Sequence, residues 1–172
     1  SFISAYRLQR IESWLDPESY ITGSSNQLYT ALLSLGSAGL TVRDNVTLQI
    51  KNGPMDFQVR EPVSPLIGGL QHTHIAVEFQ IAQEYTGQQR HVCYLMPWFR
   101  QILDFDMHTR PNGDAHVRAL IQGAGNGMVA VTNTGNDENW TGHDLAAANL
   151  YGFGRLSYDT TLDPAVIAGE WL

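Results

Sequence analysis

The sequence predicts an α/β chain with a parallel sheet, of the (β/α)-barrel kind. Three observations carry this. Helix-like and strand-like patterns alternate along the chain, the arrangement that produces parallel sheets flanked by helices. The strands have one apolar and one partly polar face, whereas an open doubly wound sheet is usually apolar on both. A barrel lumen accepts polar groups near its top. Two carboxylates, Asp56 and Glu84, fall just past strand ends, and in a barrel those ends share one rim.

Residues 1 to 23 show little pattern. "SSNQLYTALLSLG" then places Leu28, Leu32 and Leu35 at helical spacing, with Ser24 or Ser25 as cap and Gly36 as stop. A strand follows over 45–51, with Val46, Leu48 and Ile50 on one face and Thr47, Gln49 and Lys51 on the other. "KNGPMDFQ" makes the turn at its end, and the Pro- and Gly-rich "QVREPVSPLIGGLQHT" leads to a second strand, "HIAVEFQIA". There Ile75, Val77, Phe79 and Ile81 alternate with Ala76, Glu78 and Gln80. "RHVCYLMPWFRQIL" is apolar and reads as strand or turn running into a short helix, with Cys93 in a buried strand. "RPNGDAH" and "QGAGNG" are loops and "GMVAVTN" is a third strand. Two helices follow, "HDLAAANLYGFGRL" and "DPAVIAGEWL". The second has Asp163 as N-cap and Pro164 at its first position. "YGFG" lets helices pack closely.

The 172 residues suffice for one domain with a core, and 43% hydrophobic with 16% charged residues is ordinary globular composition. A net charge of −7 argues against a nucleic-acid partner. No apolar run approaches bilayer length, so no membrane span is expected. Cys93, the single cysteine, rules out an internal disulfide and a cysteine-based metal site. The start on "SFISAYRLQ", without methionine, and the stop on "GEWL", inside a helix, read as cuts through a longer protein. The compartment is left open.

The turn after the first strand holds Lys51 and Asp56 within six positions, and Glu84 continues the face of Glu78 and Gln80. Two carboxylates with aromatic neighbours suggest glycoside hydrolysis, one acid and one base or nucleophile. Carboxylates after strands also serve as helix caps or surface charges, and Lys51 and Asp56 can pair across their own turn. Trp140 follows the third strand and either stacks on a sugar or packs on the final helices. Tyr85 can hold Glu84 by packing or a hydrogen bond. His72 and His74 in "HTH" form a metal pair only with a third ligand, which is not evident. Asp104, Asp106 and His108 in "DFDMH" read as solvated loop residues. Arg60 and Glu61 either pair with each other or line the site.

The blocks "DNVTLQIKNGPMDFQVREPVSPL", "EFQIAQEYTGQQRHVCYLMP" and "NTGNDENWTGHDLAAANLYGFGRLSYDTTLDPAVIAGEWL" resemble the α-glucuronidases of glycoside hydrolase family 67. The resemblance covers roughly residues 44 to 172, in the family's order. It implies the later strands of a (β/α)8 TIM barrel leading into a helical C-terminal region. The implied division is 1–43, a poorly matched segment with one helix; 44–142, barrel; and 143–172, helices ending the barrel and entering the C-terminal domain.

The implied activity is inverting removal of α-1,2-linked (4-O-methyl)glucuronic acid from xylo-oligosaccharides, so the partners are oligosaccharides derived from glucuronoxylan. Asp56 and Glu84 match the family's general-base candidates. Lys51 matches a glucuronate-binding lysine, and Trp140 is a substrate-binding candidate. No metal or cofactor is implied, and a homodimer of the full-length parent stays open. The family's general acid is a glutamate upstream of the lysine block. The only glutamates before Asp56, Glu12 and Glu18, do not sit in its motif, so the segment alone is expected to be inactive and poorly stable. The alternatives are a non-catalytic sugar-binding remnant and a metal-dependent hydrolase using His72, His74 and a carboxylate.

Overall fold

A computed structural model describes residues 45–53, 57, 63–64, 66–70, 73–88, 90–107, 115–132, 136, 138 and 144–172. The chain divides between Arg43 and Asp44, and all described residues belong to the second part. The helix expected over 24–36 lies outside them.

Three strands form one parallel sheet in the order β1 (Thr47–Lys51), β2 (His74–Gln80), β3 (Gly127–Val131). Each strand pairs with the next along the chain, which is the winding expected of sequential β/α units. Lys51 stands beside Glu78, and Glu78 beside Val129, so residues in register share a face of the sheet. The strand expected over 45–51 begins two residues later, and that over 74–82 ends two residues earlier.

β2 is central and buried on both faces. Ile75, Val77 and Phe79 are fully inaccessible, and Glu78 and Gln80 on the opposite face are nearly so. The apolar face is covered by helices. The first, α1 (Met96–Leu103), buries Met96, Phe99, Ile102 and Leu103, a stripe at helical spacing. Pro97 is tolerated because it lies in the first turn, where its missing N–H has no intrahelical partner anyway. Phe79 meets Phe99 at 4.9 Å and Phe153 at 6.0 Å, both tilted, so one aromatic cluster joins sheet and helices.

A five-residue helix, α2 (Val117–Ile121), precedes β3 and buries Val117, Leu120 and Ile121. It is too short for its period to show in the sequence. A 3₁₀ turn (Asp144–Ala146) leads into α3 (Ala147–Tyr158), and α4 (Pro164–Trp171) ends the chain. The capping expected of Asp163 is present: its carboxylate accepts from the Ala165 amide at 2.7 Å. Gly152 bears out the close packing expected of "YGFG". A Cβ there would sit 2.5 Å from Met96 Cγ. Gly154 has no neighbour at that range and contributes nothing of the kind.

Two local expectations need correction. Residues 92–95 form irregular chain rather than a strand, with Cys93 half-buried and Val92 66% exposed. Side-chain amides take the place of a ladder there: the Cys93 carbonyl accepts from Gln83 and Asn149, and the Leu95 amide donates to Asn149. Asp104 is not a solvated loop residue. It ends α1 and pairs with Arg100 at 2.7 Å and with Arg118. Asp106 forms an antiparallel bridge with His116, and His108 lies outside the described residues.

Candidate active site

In a parallel sheet all strands end at the same edge, so residues just past those ends are gathered whatever their distance in sequence. Lys51 is the last residue of β1, and Glu84 lies on the turn four residues past β2. Both therefore belong to the C-terminal edge of neighbouring strands. Asp56 and Trp140 lie outside the described residues, as do Arg60, Glu61 and His72.

Lys51 is exposed, and its ammonium stands 5.3 Å from the centroid of the Phe57 ring. That is within range of a cation–π contact, which steadies a flexible side chain. The edge thus offers a point charge suited to an anionic ligand group.

Glu84 is exposed on a turn built by Gln83. Gln83 adopts positive φ (53°), and its carbonyl accepts from the amides of Thr86 at 3.2 Å and Gln88 at 2.7 Å. The Glu84 carboxylate accepts from Gln80 Nε2 at 3.3 Å. Below it, Glu78 accepts from Gln49 Nε2 at 2.5 Å. The sheet's polar face therefore carries two amide–carboxylate pairs in succession toward the edge. A carboxylate oriented by a donor amide is the kind of group that can take a proton from water. The sequence pattern had placed Gln80 and Glu84 on one face, and the hydrogen bond follows from it. Tyr85 is 40% exposed beside Glu84.

Just past β1, Asn52 is 1% exposed, yet among the described residues neither atom of its side-chain amide has a partner. Its backbone is held, with the amide donating to the Glu78 carbonyl at 3.0 Å and the carbonyl accepting from the Ser64 amide at 2.9 Å.

His74 opens β2 at the opposite edge, its ring lying over Gly125, where a Cβ would come within 2.4 Å. Gly125 has φ +80°, so both conformation and space require glycine. His74 is therefore packed far along the strand from Glu84. Among the described residues no three His, Cys, Asp or Glu side chains group as a metal set, and no helix is long and apolar enough to cross a membrane.

The last helices are tied to the rest by polar links invisible in the sequence. Asn149 is 1% exposed and uses both amide atoms, on Cys93 O and Leu95 N, each at 2.8 Å. Arg100 donates to the carbonyls of Thr161 and Leu162, and Gln122 to Thr160 Oγ1. Tyr94 donates to the Pro164 carbonyl at 2.7 Å. Burial first, then the negative charges of Asp163 and Glu170, push its phenol above the ordinary value, so it keeps its proton.

The glycosyl hydrolase family 67 middle-domain model matches residues 22–140, and the model of the family's C-terminus matches residues 141–172. The first match begins ahead of residue 44, so the family's pattern reaches further toward the N-terminus than the motif blocks. Alpha-glucuronidase A of Emericella nidulans is 47% identical over 135 residues, which is 75% of this chain and 16% of that protein. Probable alpha-glucuronidases A of Aspergillus flavus and Aspergillus terreus are 46% and 45% identical over 134 residues, with the same coverage. The chain thus spans 16% of the length of the curated relatives it matches. With these motifs in order, and a middle-domain match over more than half its length, the chain belongs to glycoside hydrolase family 67.

Proposed function

We propose that this chain carries the base-bearing part of an inverting α-glucuronidase. The enzyme would remove α-1,2-linked (4-O-methyl)glucuronic acid from xylo-oligosaccharides. The observation that carries the reading is the Lys51–Glu84 edge: a cation and an amide-held carboxylate at the ends of neighbouring parallel strands, in a chain of this family.

Glu84 or Asp56 takes a proton from a water, which attacks the anomeric carbon from the face opposite the leaving xylose oxygen. Lys51 pairs with the uronate carboxylate and so fixes the sugar before the attack. Trp140 stacks on a sugar ring. The leaving oxygen needs a proton donor, and neither Glu12 nor Glu18 sits in the family's acid motif, so that donor comes from elsewhere in a full-length enzyme. The sheet is the later part of a (β/α)8 barrel, with 44–142 as barrel and 143–172 leading into the helical C-terminal region.

The test uses a full-length α-glucuronidase carrying this segment. Glu84→Ala and Asp56→Ala are each assayed on an aldouronic acid. Loss of the general base lowers kcat by about 10²- to 10⁴-fold with KM little changed. If the two carboxylates substitute for each other, only the double variant loses everything. A double variant with near-normal turnover would end the reading.

A further inference from the structure

Glu84 is exposed at the sheet edge, and its one described side-chain partner is Gln80 at 3.3 Å, a long hydrogen bond. Its direction therefore depends on the backbone that carries it. That backbone starts at Gln83, a non-glycine residue at φ 53° and 1% exposed. Left-handed backbone is unfavourable for an ordinary residue, so Gln83 persists there only because its surroundings fix it. Within the turn its carbonyl accepts from the Thr86 and Gln88 amides, and its side-chain Nε2 ties the turn to the rest of the fold by donating to the Cys93 carbonyl at 3.1 Å.

The same carbonyl accepts from Asn149 Nδ2 at 2.8 Å, while Asn149 Oδ1 accepts from the Leu95 amide at 2.8 Å. Asn149 lies in α3, within the part of the chain matched by the family's C-terminal model, and Gln83 and Cys93 lie in the middle-domain part. One carbonyl thus joins a buried amide of each part, directly behind the turn that presents Glu84.

We propose that Gln83 and Asn149 are positioning residues. Through the Cys93 carbonyl they set the direction of Glu84, so the C-terminal part of the chain takes part in placing the base. This rests on the base role proposed above for Glu84. Both residues are buried, 1% exposed, and neither is placed in the substrate-binding machinery. Asn149 orders residues 93–95, Gln83 locks onto that ordered carbonyl, and the left-handed backbone at 83 then aims residue 84. Small displacements of a catalytic group matter, since a misplacement of about 1 Å costs up to roughly 10²-fold in rate.

The test is a double-variant cycle in a full-length α-glucuronidase carrying this segment, assayed on an aldouronic acid. Gln83→Gly removes the clamping amide but accepts the left-handed backbone without strain, so the turn keeps its conformation while its anchor is lost. The expected result is a kcat lower by about tenfold with KM within about twofold. In a Glu84→Ala background the same substitution should change the residual rate by less than about twofold, because a positioning residue has nothing left to position. Asn149→Ala, at a buried position in α3 and with its own melting curve, is the second variant and should show the same pattern.

Equal losses in both backgrounds, or no loss in the wild-type background for either variant, overturn the clamp. Full turnover in Glu84→Ala combined with loss in Asp56→Ala gives the base role to Asp56, and full turnover in the double variant ends the base reading altogether; either overturns the role on which the clamp rests. The two failures are therefore told apart by the Glu84 and Asp56 variants.

Discussion

The two faces of β2 solve opposite problems with alternate residues of one strand. Ile75, Val77 and Phe79 are fully buried under helices and an aromatic cluster. Glu78 and Gln80 are nearly as inaccessible, yet they carry a carboxylate and an amide. Burying apolar area stabilises at roughly 25 cal/mol per Å². Burying a carboxylate costs energy unless it is hydrogen-bonded, and Gln49 supplies that bond. The helix-covered face holds the sheet together, and the polar face spends part of that stability on carrying carboxylates toward one edge. A strand built only for packing would be apolar on both sides.

The contrast is broken most severely from the apolar side. In a full-length α-glucuronidase carrying this segment, Phe79→Ala should cost about 3–5 kcal/mol of stability in denaturant unfolding, because a fully buried ring leaves a cavity between Phe99 and Phe153. A loss under about 1 kcal/mol would mean that the cluster is not the core it is taken for.

The polar face should respond in function with little change in stability. Lys51→Ala removes an exposed cation, so the melting temperature should hardly move. Binding of a uronic acid substrate should weaken by roughly 1.5–3 kcal/mol, the worth of a charge-assisted bond, and that of a neutral glucosyl analogue should weaken less. Equal losses on both sugars would remove Lys51 from uronate recognition.

Gln80→Leu sharpens the comparison further. It strips the donor from Glu84 and puts an apolar side chain at a buried position. Turnover should fall roughly 2- to 12-fold, the equivalent of a net hydrogen bond of about 0.5–1.5 kcal/mol, while the melting temperature holds or rises. Unchanged turnover would show that Glu84 does not rely on this amide.

The smallest effect belongs to the outer rim of the helical cover, away from both faces of β2. Arg155 donates to Glu170 at 2.7 and 3.0 Å, and Tyr151 donates at 3.1 Å. The Arg155 bond chiefly holds the Glu170 carboxyl below its ordinary 4.5, with the Tyr151 bond and the Arg155 charge adding to it. A depressed carboxyl contributes stability above its unfolded pKa and loses it as pH falls through the folded pKa. Acidification below pH 4.5 should therefore remove this contribution, and Glu170→Gln should slightly narrow the gap between melting temperatures at pH 6 and pH 3. Because the pair is solvated, the change should be small. An unchanged gap would mean that the pair adds nothing to stability.

Elements with strong local signals were legible without coordinates. Period-2 alternation placed β1 and β2 to within two residues at an end. Asp163 with Pro164 fixed the start of α4, because capping is a contact between neighbours in sequence. The motif blocks identified the family, and the strand ends gave Lys51 and Glu84 a common edge as soon as the sheet is parallel. Those are local or periodic properties, carried by the order of residues alone. Chain order by itself did not give what depends on groups distant in sequence. The irregular path of 92–95, the pairing of Asp104 with Arg118, and the union of Gln83 and Asn149 on one carbonyl were all decided by tertiary structure. A backbone carbonyl carries no residue-specific signal, and Cys93 reads as an apolar position in any pattern. Only folding brings an amide from position 83 and another from position 149 to the same oxygen.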